Sequence, residues 1–280
     1  MTSRMPAYAR PRRTDEALAI LARGGRTILA GGTDFYPSRV DTAPRDDVLD
    51  LTALTDLRGV EELPAEWRFG ATTTWTDVIE AKLPPLFDAL KLAAREVGGM
   101  QIQNSGTVAG NICNASPAAD GVPALLALDA QVEVASTEGK RELPLSQFIL
   151  GPRRTALRRD ELVTAILVPK PRHPARSDFL KLGARKYLVI SIAMVACVLE
   201  VHDGTVRAAR IAVGSCSPVA MRLPELEQVL AGKPLDRSLC ELARPEHLHR
   251  LSPIDDVRAS AAYRKEAALT LIRRSLGRLA

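Results

Sequence analysis

From Met100 to Ala119 the chain runs twenty residues without one charged side chain, although 25% of its 280 residues are Asp, Glu, Lys or Arg. The stretch is rich in Gly, Asn, Ser and Thr and reads as a loop. An ordinary surface loop would carry Lys and Glu. A neutral, hydrogen-bonding segment of this length inside a compact domain is functional rather than connective. Whatever this chain folds into must therefore place these amides and hydroxyls against something.

The flanking patterns supply the frame. Thr14-Asp15-Glu16 predicts a short helix with Thr14 as N-cap, closed by Gly24-Gly25. Thr27 to Ala30 predicts a strand that runs straight into Gly31-Gly32, and Asp47 to Leu51 a second strand, together a small βαβ unit. Strand Trp67 to Ala71 and helices at Asp77 to Ala81 and Pro85 to Val97 lead up to the neutral stretch. An apolar helix, Pro123 to Leu128, follows it. A hairpin around Thr137 to Lys140 and a strand Leu162 to Val168 come next. The segment from Pro169 to Pro174 is the best boundary in the chain. Beyond it, Phe179 to Gly183, Ile192 to His202 and Thr205 to Gly214 predict three strands, with Asp203-Gly204 as a hairpin turn. Pro224 opens one helix, and Val257 to Leu279 predicts a long amphipathic one. The fold class is α+β. Domains are expected at 1–55, 56–172 and 173–280.

Composition narrows the function. No apolar run approaches the roughly 18 residues of a membrane span. Met1 to Arg13 has no apolar core behind its basic residues, so it is not expected to be a signal peptide, and a cytoplasmic protein is expected. The net charge of +5 invites a nucleic-acid reading, but only 4% of residues are aromatic, too few for base-stacking platforms. The positive charge is also confined to the second half, where Arg153, Arg154, Arg158 and Arg159 cluster. That run suits an acidic protein partner or a nucleotide phosphate. The cysteines Cys113, Cys197, Cys216 and Cys240 form no pair with metal-ligand spacing, so no metal site is expected in this chain.

Chemical motifs are mostly missing. There is no GxGxxG, no GxxxxGK[ST], no HExxH and no GxSxG. If the protein does chemistry, a cofactor supplies it, and no catalytic side chain is nominated. Two glycine-bearing segments remain. Leu29-Ala30-Gly31-Gly32-Thr33-Asp34 follows a strand, where glycines let backbone N–H groups approach an anion. Gly106-Thr107-Val108-Ala109-Gly110-Asn111, continuing through Asn114, Ser116 and Asp120, offers neutral donors suited to a diphosphate and a polyol.

These two segments resemble the FAD-binding, medium subunit of the molybdenum hydroxylases, the xanthine dehydrogenase and carbon monoxide dehydrogenase family. The family's AGGTD stands at Ala30 to Asp34. Its longer motif is matched by Gln101-Ile102-Gln103-Asn104, Gly106 to Ile112, Ala115-Ser116-Pro117 and Asp120. Glu161-Leu162-Val163, Lys181, Arg185, Arg258 and Tyr263-Arg264 extend the similarity over nearly the whole chain. Three positions depart from the family pattern: Gln103 for Arg, Ala109 for Gly, and Phe35 for a smaller aliphatic residue.

The resemblance implies a two-lobed FAD-binding domain of the vanillyl-alcohol-oxidase type, followed by a C-terminal domain with a three-stranded antiparallel sheet and helices. It implies that Leu29 to Asp34 wrap the diphosphate and ribityl chain, with Phe35 near the flavin ring. Thr107, Gly110 and Asn111 bind from the second lobe with Gly106, Ile102, Asn114, Ser116 and Asp120. Val97 and Gly98 abut the flavin, Leu162 and Val163 cover its apolar part, and Lys181 lies near its redox-active edge. It further implies a large partner carrying the molybdopterin cofactor and a small one carrying [2Fe–2S] clusters, in a dimer of heterotrimers. Electrons would pass from those clusters through FAD to NAD+, dioxygen or another acceptor. A stand-alone flavin oxidase and a non-catalytic assembly subunit with a degenerate flavin site are the alternatives.

Overall fold

In the computed structural model, which describes residues 6–39 and 46–280, three sheets of three or more strands and one two-stranded hairpin are formed by the described residues. The first five residues of the basic N-terminal stretch, and 40–45 within the first expected domain, lie outside the described residues.

The first sheet holds β1 (Tyr8–Ala9), β2 (Arg26–Leu29) and β3 (Asp47–Asp50) in the order β1-β3-β2, all parallel. Helix α1 (Thr14–Leu21) crosses over between β1 and β2 and buries Ala17 and Leu21. Its N-cap is Arg13, one residue earlier than expected, because the Thr14 hydroxyl donates instead to Asp56 Oδ2 at 2.5 Å. Strand β1 has no sequence signal of its own; at two residues it exists through its pairing with β3.

The second sheet is antiparallel, with β4 (Val60–Glu62), β5 (Glu66–Gly70), β6 (Gln131–Ser136), β7 (Gly139–Pro144) and β10 (Leu162–Pro169) in the order β4-β5-β10-β6-β7. A small hairpin of β8 (Ile149–Gly151) and β9 (Arg154–Thr155) lies between β7 and β10. Helices α2 (Trp75–Glu80), α3 (Asp88–Glu96), α4 (Met100–Ser105), α5 (Val108–Asn114), α6 (Gly121–Ala127) and α7 (Leu145–Phe148) complete this part. The neutral stretch is therefore not a loop. It folds into α4 and α5, because Thr107 caps α5 by accepting from Gly110 N at 2.9 Å while Val108, Ala109 and Ile112 are buried.

The third sheet orders β11 (Ala175–Leu182), β12 (Ala193–His202), β13 (Thr205–Gly214) and β14 (Met221–Arg222). All pairs are antiparallel, and the fourth, two-residue strand adds to the three expected. Strand β12 explains why its sequence is almost wholly apolar. Met194, Ala196 and Val198 point into the core shared with the first two sheets, whereas Ala193, Val195, Cys197 and Leu199 point into a second core. Successive side chains of a strand face opposite ways, so a strand sandwiched between two cores has no polar face. Helices α8 (Pro224–Leu230), α9 (Leu239–Leu242) and α10 (Ala261–Leu279) cover the second core. α10 starts four residues later than the sequence pattern predicts, where Ser260 accepts from Tyr263 N at 3.2 Å.

One ion pair, with Glu161 buried and Arg141 half-buried, fixes the entry to β10. The Glu161 carboxylate takes two hydrogen bonds from Arg141, both at 2.7 Å, and a third from Arg158 N at 2.8 Å. Hydrogen bonding to Arg141 holds the Glu161 carboxyl below its usual range. A lowered carboxylate contributes stability above the unfolded value of about 4.3, which is lost as pH falls through the lower folded value. Glu161→Gln should therefore melt lower than the parent at neutral pH and close the gap in acid, measured as Tm against pH.

Candidate flavin site between two lobes

Strand β2 ends at Leu29, and its carboxyl end opens onto a cleft of about 390 Å³. Ligands of parallel sheets bind at this end of the strands. The opposite wall comes from α5 and from Leu162 and Val163 at the start of β10. Two surface hollows are larger, about 500 Å³ and 440 Å³, but charged side chains stand in their walls, Arg58, Asp77 and Lys82 in one and Lys170, Arg172 and Arg207 in the other.

The two walls touch through bare backbone. A methyl group at Gly31 would stand 2.5 Å from the Ser105 carbonyl carbon and 2.8 Å from Gly106 Cα, so only glycine permits the lobes to close there. Gly32 follows at φ +70°, the left-handed region that turns the chain back over the cleft. The junction of α4 and α5 is fastened from below. Trp75 N donates to Gly106 O at 3.1 Å and Val108 N to Thr73 O at 3.0 Å, and the Trp75 side chain is buried beneath them.

Of the residues expected at the site, Leu29, Ala30, Gly31, Gly32, Thr33, Asp34 and Phe35 line the cleft from the first lobe. Val97, Gly106, Thr107, Gly110, Asn111, Asn114, Leu162 and Val163 line it from the second. The others do not. Gly98, at φ +55°, packs against the Ile102 side chain at the corner between α3 and α4. Ser116 accepts from Ala118 N at 3.2 Å and faces a separate hollow shared with the C-terminal domain.

Asp120 and Lys181 pair with each other at 2.9 Å, with side chains only 13% and 5% exposed. Lys181 Nζ also donates to the Glu96 carbonyl at 3.2 Å, and Ser191 Oγ donates to Asp120 at 2.8 Å. Burial pushes the Asp120 carboxyl above its ordinary range, although Lys181 and Ser191 pull the other way. This cluster ties β11 to the end of α3, one residue before Val97, so it supports the cleft wall rather than lining it.

Several lining residues carried no signal in the sequence, among them Ala71, Trp75, Leu157 and Arg39. The Arg39 guanidinium lies 3.9 Å from the Phe35 ring centroid, bonds the Phe35 carbonyl at 2.9 Å and pairs with Asp46 at 3.0 Å. Cys113 also lines the cleft, whereas Cys197 and Cys216 are buried elsewhere. Gln103, one of the departures from the family pattern, points away and donates to Arg95 O at 3.1 Å. Among the described residues, no group of three or more His, Cys, Asp or Glu is placed to hold a metal ion.

The cleft suits a flavin dinucleotide on three grounds. The Gly31 approach leaves backbone without side chains at the bottom. Asn111 lines the second wall with an amide whose Oδ1, turned toward Gly121, has no hydrogen-bond partner among the described residues. Leu29, Ala71, Val97, Leu162 and Val163 provide an apolar wall for a ring, beside the hydroxyls and amides of Thr33, Thr107 and Asn114. Gly110→Ala should weaken any ligand held there, because its methyl would come 2.7 Å from Thr107 Oγ1 and break the α5 cap. Loss of a cap costs about 1 kcal/mol, and FAD titration of Gly110→Ala and Thr107→Val should show matching losses of affinity.

Comparison with known proteins adds the following. A model of the FAD binding domain in molybdopterin dehydrogenase matches residues 3–171, and one of the CO dehydrogenase flavoprotein C-terminal domain matches residues 178–279. The chain is 32% identical over 282 residues to the nicotine 6-hydroxylase medium subunit of Paenarthrobacter nicotinovorans, covering 98% of this chain and 97% of that one. It is 29% identical to the xanthine dehydrogenase FAD-binding subunit of Escherichia coli O157:H7, over 96% of this chain and 94% of that one. Among solved structures, a chain of carbon monoxide dehydrogenase from Hydrogenophaga pseudoflava superposes with a TM-score of 0.86 at 27% identity, covering 100% of this chain and 98% of that chain.

Proposed function

The chain belongs to the FAD-binding medium subunits of the molybdenum hydroxylases, and from that premise we propose that it relays electrons from [2Fe–2S] clusters of a partner chain to a terminal acceptor such as NAD+ or dioxygen. A large molybdopterin-binding chain and a small iron–sulfur chain are its partners, in a cytoplasmic dimer of heterotrimers. Among the described residues no helix is long and apolar enough to cross a membrane. The observation that carries the reading is the closure of two glycine-bearing segments, one following strand β2 and one at the junction of α4 and α5, onto one cleft through Gly31 and Ser105.

Bound FAD supplies the redox chemistry, taking up electrons singly or in pairs. The chain's own residues bind, orient and exclude water. Leu29 to Phe35 hold the cofactor from the first lobe; Thr107, Gly110, Asn111 and Asn114 hold it from the second. Val97, Leu162 and Val163 keep water from the ring. Lys181 and Asp120 act at one remove, by fixing the Glu96 carbonyl and with it Val97. Gly98 and Ser116 shape the turns on either side of α4 and α5, and Ile102 packs from within α4 against the Gly98 corner. No side chain is needed as acid or base. We assign the parts to 1–55 and 56–172 as the two flavin lobes and 173–280 as the C-terminal domain.

The test uses the assembled complex without oxygen. Addition of the molybdenum partner's substrate should bleach the oxidised-flavin absorbance, and NAD+ or dioxygen should restore it, identifying the acceptor. A complex that turns over its substrate while its flavin stays oxidised would overturn the relay.

A further inference from the structure

The arginine run after β8 does not act as one patch. Arg158 lies beside Glu161 at 3.8 Å, and Arg154 Nη2 donates to the Leu150 carbonyl at 3.2 Å. Arg153 turns the other way. Its backbone sits at φ +57°, unusual for a residue with a side chain, and its N–H donates to the Ala115 carbonyl at 2.9 Å, just past the end of α5. From there the guanidinium reaches across the cleft mouth. Nη1 donates to Asp34 of the first lobe at 2.9 Å and also to Asn114 of the second.

Both contacts go through one nitrogen of a planar fork that carries five N–H donors and matches phosphate oxygens two at a time. Asp34 ends the glycine segment whose backbone faces the cleft, and Asn114 ends α5 opposite it. Arg39, which does line the cleft, is committed to Asp46 and to Phe35. Resting on the flavin assignment above, we infer that Arg153 is a latch for the cofactor's diphosphate: a cation brought by the β8–β9 hairpin to the cleft mouth, holding both lobes and the anionic bridge of a flavin dinucleotide. The contacts to Asp34 and Asn114 hold this side chain beside the cleft, and the N–H donors left over on its fork separate FAD from flavins without a diphosphate.

The experiment is a titration of the deflavinated full chain with FAD, FMN and riboflavin, followed by flavin fluorescence, at low and high salt. Arg153→Ala should weaken FAD at least tenfold and reduce the salt dependence of its binding, while riboflavin affinity stays within twofold. Arg153→Lys, which keeps charge without the fork, should fall between. Equal losses for FAD and riboflavin would make Arg153 a structural clasp and overturn the inference, as would unchanged FAD affinity. A parent chain that binds none of the three flavins would overturn the flavin assignment itself, a distinct result.

Discussion

Gly31→Ala is expected to strip the protein of most of its FAD. The added methyl lies against the Ser105 carbonyl and Gly106 Cα, which are backbone on an opposing lobe and cannot rotate aside. The lobes must part, and the cleft widens where the cofactor would be gripped from both walls. Overpacking of this kind costs about 1–3 kcal/mol, and any part of it relieved in the apo state is lost from binding instead. FAD affinity should drop at least tenfold, roughly 1.4 kcal/mol. Gly277→Ala is the control. It lies in α10 with nothing within 4 Å of the new methyl, so it should keep wild-type affinity and melt at the same temperature or higher. A Gly31→Ala protein with full flavin affinity would mean that the two segments do not grip one ligand.

Asp120→Ala is expected to have the largest effect on folding. As a residue of the sequence motif expected to hold FAD, Asp120 would lower flavin occupancy when removed and spare the fold. The structure places it in a buried ion pair with Lys181, at the seam between α6 and β11. Deleting one partner of a buried pair strands the other charge and costs about 3–5 kcal/mol. Replacing both with apolar groups avoids that penalty, so Asp120→Ala/Lys181→Met should unfold at higher denaturant than Asp120→Ala alone. Equal midpoints for single and double variants would show that the pair is not coupled. Flavin loss in Asp120→Ala should then track stability rather than precede it, because the carboxylate does not line the cleft.

Much of this molecule is legible in its residues. Strand β2 running into Gly31-Gly32 and the Asp203-Gly204 turn between β12 and β13 are local patterns with local causes. Asp203 and Gly204 adopt φ +50° and +65°, a left-handed turn that a short polar side chain tolerates and a residue without Cβ enters freely. The lining from Leu29 to Phe35, and that of Gly106, Thr107, Gly110, Asn111 and Asn114, is likewise carried by two motifs in the right order.

What escaped the sequence depends on distant partners. Helices α4 and α5 hide in the neutral stretch because their support comes from Thr73 and Trp75, about thirty residues away. Strands β1 and β14 are two residues each and need a neighbour to exist. Lys181 and Asp120 share the family pattern with the lining residues, yet pattern alone does not separate a group that touches a ligand from one that holds its wall. Arg153 was visible only as one of four arginines; the positive φ that aims it is a property of the folded hairpin.

The central claim is that one FAD sits in the cleft between the first two sheets. It is tested most directly by titrating the deflavinated full chain with FAD while following quenching of flavin fluorescence, with Gly31→Ala run in parallel. The account predicts a saturable endpoint at one FAD per chain for the parent and at least tenfold weaker binding for the variant. No saturable binding by the parent, or identical curves for the two proteins, would contradict it.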